Sequence, residues 1–143
     1  MKFEIKKKYK KARLGTLSLL HGEVKTPAFM TVGTYGSVKS LTNEDLKACN
    51  AEMILCNAYH LMIRPEKKLI EKAGGLHKFM NWSRPILTDS GGYKVFSLSN
   101  QTKVSNHGVE FKSPLNWDKL FMSPEKSIET QLYLGSDIMM IFD

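Results

Sequence analysis

ILTDSGGYKVFSL, from Ile86 to Leu98, decides how this chain is read. Ile86-Leu87-Thr88 has the length and apolar character of a buried strand, and Gly91-Gly92 behind it supplies a turn, because glycine accepts positive φ angles that other residues avoid. A turn does not need an ionisable residue, yet Asp89 stands where the strand leaves the core for an open edge. Two readings of Asp89 stand together: a group that meets a substrate, or a side chain that caps the strand and shapes the turn.

The same arrangement recurs on both sides. Upstream, the strand Met53-Ile54-Leu55 leads to Asn57. Downstream, Ile138-Met139-Met140-Ile141-Phe142 leads to Asp143, and its unbroken apolar run suits a strand buried on both faces, with Met139-Met140 in the core. Helices are expected in between. Thr42 with Asp45 three residues on forms a capping box for a helix anchored by Leu46 and Ala48. Pro65 fits the first turn of a second helix that Gly74-Gly75 ends. Ser123-Pro124-Glu125 starts a third, with a hydroxyl cap, proline at the first position and Glu125 facing the helix dipole. In that helix Ile128, Gln131 and Leu132 share a face, and Gly135 stops it. Ser99 to Gly108 reads as a polar loop or hairpin.

Strand and helix alternating through short connections predict a parallel α/β sheet. In such sheets sites collect at the carboxyl ends of the strands, so Asn57, Asp89 and Asp143 are expected to face one pocket, with Tyr93 close by. The first part of the chain differs. Phe3–Ile5, Gly15–Leu20, a turn at His21-Gly22 and Val24–Val32 interrupted by Pro27 read as a small antiparallel β-segment over about residues 1–30, with the β/α units over about 31–143.

The chain has 143 residues, 42% of them apolar, enough for one packed domain. Lys and Arg number 21 against 14 Asp and Glu, and much of the +7 excess lies in Lys6-Lys7-Lys8, Lys10-Lys11 and Arg13. That cluster suits a polyanion such as RNA, or is a solvated basic face. Cys49 and Cys56 have no CxxC partner and no zinc spacing with the histidines, so buried thiols in a reducing cytoplasm are expected. His60 reads as a structural hydrogen-bonding group. No apolar run reaches ~18 residues, so no membrane span is expected.

MTVGTYGSVKSLTNEDL (Met30–Leu46), ILCNAYHLMIRPE (Ile54–Glu66), GGLHKFMNWSRPILTDSGGYKVFSL (Gly74–Leu98), VEFKSPL (Val109–Leu115) and SPEKSIETQLYLGSDIMMIFD (Ser123–Asp143) resemble, in order, the N-terminal part of the tRNA-guanine transglycosylase, or queuine tRNA-ribosyltransferase, family of bacterial type. The resemblance implies the N-terminal portion of an irregular (β/α)8 TIM barrel. It implies an enzyme that exchanges guanine at the tRNA wobble position for the 7-deazaguanine preQ1 through a covalent ribosyl-enzyme intermediate. Such chemistry takes the base out of its stack into a snug pocket and helps it leave by proton transfer.

By the same resemblance, Asp89 is the pocket's general acid/base and Asn57 hydrogen-bonds it. Tyr93 stacks on the base, and Asp143 accepts from guanine N1–H and the 2-amino group. Ser90, Gly91 and Gly92 let the backbone approach the ligand, while Val32 and Leu55 line the pocket. Lys94 stands where the family usually has Gln, and lysine cannot accept a hydrogen bond as an amide can, so the family's base selectivity does not carry over at this position. Tyr35 replaces Gln or a small residue, Cys56 replaces Gly, and Asn116-Trp117 replaces an Asp/His-Gly turn with little consequence expected.

The family's aspartate nucleophile and a structural Cys3His zinc site lie downstream of Asp143, so no metal or cofactor is expected within these residues, and the segment alone is expected to be inactive. The implied partners are tRNA, a guanine-type base and, at full length, a second copy in a homodimer. The competing expectation is a short non-catalytic paralogue that binds RNA or a partner subunit.

Overall fold

The computed structural model describes residues 1–98 and 102–143. Three strands, β1 (Lys2–Tyr9), β2 (Ala12–Leu19) and β3 (Gly22–Thr26), form an antiparallel sheet in that order. β1 is an edge strand exposed along its whole length, and its lysines discourage a further strand from pairing there. The expected β-segment is therefore present, ending at Thr26. The next strand, β4 (Thr31–Val32), belongs to a different sheet.

That second sheet carries the site. Its order is β10 (Ile138–Met139), β6 (Ile86–Asp89), β5 (Ile54–Asn57), β4, and every neighbouring pair is parallel. The pairing sets Val32 beside Leu55, and Asn57 beside Asp89. One face of the sheet is sealed: Ile54, Cys56, Ile86 and Thr88 are fully buried. There they meet Leu46 of α1 (Asn43–Ala48), Leu61 of α2 (Ala58–Ile63), Ile70 of α3 (Lys67–Lys72), Leu76 of α4 (Leu76–Met80), and Trp82. The opposite face, which includes Val32, Leu55, Leu87 and Ile138, is only partly covered.

A third, antiparallel sheet of β7 (Lys103–Ser105), β8 (Gly108–Lys112) and β9 (Lys119–Met122) follows α5 (Gly92–Leu98). Val109, Phe111 and Met122 pack it against Val95 of α5 and Tyr59 of α2. The hairpin expected over 99–108 is thus β7 and the start of β8, while residues 99–101 lie outside the described residues. α6 (Pro124–Leu134) then leads to β10.

Several start and stop signals act as expected. Thr42 and Asp45 form the reciprocal capping box, Ser123 caps α6 through Lys126 N–H, and Gly135 closes α6 in the left-handed conformation. Other expectations need correction. Ala48 is exposed, and Leu46 alone anchors α1. Pro65 lies ahead of its helix, since Glu66 takes a φ of 87° and α3 starts at Lys67. In α6 the inward residues are Ser127, Thr130, Gln131 and Leu134, whereas Leu132 is 62% exposed. β10 stops at Met139, and Met140 and Ile141 are exposed, because β10 is an edge strand with a neighbour on one side only. Met139-Met140 is not core. Cys49 is exposed, and only Cys56 is a buried thiol. Trp117, expected to matter little, holds a φ of 63°, a conformation costing a residue with a Cβ roughly 1–2 kcal/mol.

Candidate active site

Asn57 and Asp89 end adjacent parallel strands and are paired in register, so their side chains meet at the carboxyl edge. Asn57 Nδ2 donates to Asp89 Oδ2 at 2.6 Å, and the Ala58 backbone N–H donates to Asp89 Oδ1 at 2.8 Å. Lys94, on α5, brings Nζ to 3.1 Å from Asp89 Oδ2. Asp89 is therefore an acceptor held from three sides. Asn57 itself is buried, and its Oδ1 has no partner among the described residues.

Ser90 joins Asp89 to the third strand. Its Oγ donates to Asp143 Oδ1 and accepts from the backbone N–H groups of Gly92, at 3.2 Å, and Asp143, at 3.4 Å. Tyr93 N–H donates to the same Asp143 oxygen at 3.3 Å. Burial pushes the Asp143 carboxyl up, but the hydrogen bonds from Ser90, Tyr93 and Gly92 outweigh it and hold the group below the ordinary aspartate range. The glycines make this approach possible. Gly91 holds φ at 78°, with an added Cβ 2.9 Å from Tyr59 Cβ, and a Cβ on Gly92 would run into the Asp143 carbonyl oxygen.

The edge thus brings together Asn57, Asp89, Ser90, Gly91, Gly92, Tyr93 and Asp143. The Tyr93 ring stands 66% exposed, and Val32, beside the half-buried Leu55, is 51% exposed, so the constellation borders an open edge. His60 accepts or donates at Nδ1 to the Tyr35 hydroxyl, 3.1 Å away, which fits a structural hydrogen bond. Burial and then the Lys94 charge push its pKa down, while Asp89 pulls the other way. Cys56, its thiol pushed up to about 12 by burial and then by Asp89, is inert packing. Glu125 stands in the first turn of α6, where the Ser123 hydrogen bond holds it below the ordinary glutamate range.

Two features escaped the sequence. Lys94 was visible only as a departure from a pattern, and no spacing rule places a lysine against Asp89. The second is the support beneath the site. Gln131, fully buried, accepts from Thr88 Oγ1 and Met140 N–H and donates to the Met140 carbonyl, each at 2.9 Å. Ser127 Oγ donates to the Ser90 carbonyl at 2.6 Å. One turn of α6 therefore holds both the Ser90 strand end and the segment leading to Asp143. Among the described residues the cationic hairpin of β1 and β2 makes no hydrogen bond to this edge. Its sheet is tied instead to Glu52 and Asp137, which precede β5 and β10 at their amino ends.

Carboxylates, a lysine and an aromatic are gathered at the carboxyl edge of a parallel sheet, the edge at which α/β proteins place their sites. The family model described as queuine tRNA-ribosyltransferase matches residues 8–143. A protein of that name from Lysinibacillus sphaericus is 59% identical over 132 residues, 92% of this chain and 35% of the relative. Proteins of the same name from Nitrosospira multiformis and Vibrio vulnificus are each 54% identical over all 143 residues, covering 39% and 38% of their lengths. The chain belongs to the queuine tRNA-ribosyltransferase family and spans somewhat over a third of the length of these relatives.

Proposed function

We propose that this edge is the base-binding half of a tRNA-guanine transglycosylase, which exchanges guanine at the wobble position of tRNA for preQ1. The single observation carrying the reading is the pair of carboxylates, Asp89 at the end of β6 and Asp143 four residues beyond the adjoining β10, brought together through Ser90 with opposite tasks open to them. Asp143, kept ionised and oriented by Ser90 and the Tyr93 N–H, accepts from the N1–H and 2-amino donors of a guanine-like edge. Tyr93 offers its exposed ring for stacking, worth about 1–3 kcal/mol per base. Asp89, steadied by Asn57 and Ala58, moves a proton to or from the departing base.

In the full reaction an aspartate attacks the anomeric carbon, the glycosidic C–N bond breaks, and guanine leaves with a proton. The incoming base reverses the step. Asp89 is poorly suited to that attack, since both its oxygens already accept hydrogen bonds. The nucleophile in this reading is a further aspartate of the family, and so the 143 residues bind a base without exchanging it.

The same reading makes the parallel sheet the first part of a (β/α)8 barrel, whose further strands would close over the partly covered face of Leu55, Leu87 and Ile138. tRNA, a homodimeric assembly and a cytoplasmic setting belong to the proposal. Among the described residues no helix is long and apolar enough to cross a membrane. In this reading the family's structural zinc is held outside these 143 residues; among the described residues Cys49 and Cys56 join no group of metal-ligating side chains.

The test incubates the 143-residue chain with unmodified tRNA and radiolabelled guanine, beside a full-length relative as positive control. No label above background is expected from the chain. Label entering at a rate near the control would make Asp89 or Asp143 the nucleophile and overturn the assigned roles.

A further inference from the structure

A second cluster of ionisable groups lies at the other end of the strands, apart from the chemistry proposed above. Asp137, between α6 and β10, has a side chain with no solvent exposure. Its Oδ1 accepts from His21 N–H at 3.0 Å and faces His21 Nδ1 at 2.9 Å, while its Oδ2 accepts from Ile86 N–H at 2.9 Å. His77 of α4 brings Nε2 to 3.1 Å from Oδ2, out of line for a hydrogen bond. The two imidazoles stack with centroids 3.6 Å apart and planes 17° from parallel. Rings stacked in this way cannot both aim their in-plane lone pairs at one ion, so the cluster is poorly shaped for a metal despite its ligand types.

We propose that His21, His77 and Asp137 form a proton-operated clasp joining the N-terminal antiparallel sheet to the amino ends of the parallel sheet. The clasp is closed while the His77 ring is neutral and opens when that ring gains a proton. One carboxylate can neutralise one imidazolium, and a second positive ring stacked on the first has no counter-charge. The neighbouring charged groups do not supply one. Glu23 and Glu52 share a groove with His21, Lys25 and Arg84, but among the described residues Asp137 is the carboxylate at ion-pair distance from the two rings. Arg84 adds positive charge and donates to the Ala51 carbonyl, and Lys78 follows His77 on α4.

The direction of the pH effect follows from His77. Burial and then the His21 charge hold its pKa below the ordinary histidine value, against the pull of Asp137. An opened or unfolded form, with the ordinary value near 6.5, binds more protons. Stability of the closed clasp is therefore full above about pH 6.5 and falls as the pH drops below it. At Asp137, burial favours the neutral acid, but hydrogen bonds from Ile86 and His21 prevail and keep it ionised through this range. The inference does not rest on base exchange.

Amide hydrogen exchange between pH 7.5 and 5.5, corrected for intrinsic rates, tests it on the whole chain. The His21 and Lys25 amides, which cross from one sheet to the other, are expected to lose protection at least tenfold at pH 5.5, while β5 and β6 stay protected. His77→Gln should reduce that change to under twofold, and His21→Gln, at the more exposed ring, should do the same with less risk to folding. Equal protection at both pH values, or both variants following the wild type, would overturn the clasp. So would micromolar Zn²⁺ raising protection at pH 7.5 in the wild type and in neither variant, since a cation would then be the ligand.

Discussion

Asp89→Asn is expected to lower base exchange by about 10²–10⁴-fold in a transferase of full family length carrying this segment, the range a positioned general acid/base supplies. Every partner of Asp89 is a donor: Asn57 Nδ2 and the Ala58 N–H by hydrogen bonds, and Lys94 Nζ at ion-pair distance. An amide of the same size keeps one acceptor and turns an NH2 group toward one of those donors, so proton transfer and orientation fail together. The fold should survive, because Asp89 ends its strand at the open edge and the packing of Ile86 and Thr88 below it is unchanged. Single-turnover exchange with unmodified tRNA measures the loss, and circular dichroism checks the fold. Exchange within tenfold of the wild type would remove Asp89 from proton transfer.

The second large effect is on stability. Gln131→Leu keeps the volume of a fully buried side chain but removes the Gln131 donor to the Met140 carbonyl and takes one bond each from the Met140 N–H, which keeps the Thr88 carbonyl at 3.2 Å, and from Thr88 Oγ1. A buried polar group left unpaired costs about 1–3 kcal/mol, so a loss of about 1–3 kcal/mol is expected. Urea unfolding measures it as a fall in midpoint at unchanged slope. The variant should also loosen Asp143, because Gln131 pins the chain three residues before it. A midpoint equal to the wild type would show that the amide is ordinary filling.

Gln131 also marks where the sequence stopped being legible. The ends of α6 could be read from Ser123-Pro124 and Gly135, since caps are local chemistry. Its facing could be read only in part. Ile128, Gln131 and Leu132 read as one face, and Gln131 does turn inward, but the helix lies over strand ends where Ser90, Thr88 and Met140 need hydrogen bonds, so Ser127 joins it there and Leu132 is exposed. β5 and β6 were legible from their apolar runs, and the adjacency of Asn57 and Asp89 followed from strand order. α2, α4 and the β7–β9 sheet were not. α2 begins directly behind Asn57 without a side-chain cap, and α4 is five residues long with glycine at its cap. The run Ile138–Phe142 reads as one long strand, but among the described residues β10 pairs with β6 alone and ends at Met139.

At the site, the residue types and their strand-end positions were readable, but the ties between them were not. Ser90 was expected to give backbone access and instead joins Asp143 to the Asp89 strand through its hydroxyl. The Lys94–Asp89 ion pair depends on the turn at Gly91-Gly92 carrying α5 back over the strand end, a three-dimensional consequence that linear spacing does not report.

The central claim is that the Asp89–Asp143 edge holds a guanine-like base. The most direct measurement is a titration of the isotopically labelled 143-residue chain with guanine, followed through backbone amide chemical shifts. The account predicts saturable shifts concentrated at Ala58, Ser90 to Tyr93 and Asp143, with adenine producing none of them at the same concentration. Shifts centred elsewhere, or equal shifts with both bases, would contradict it.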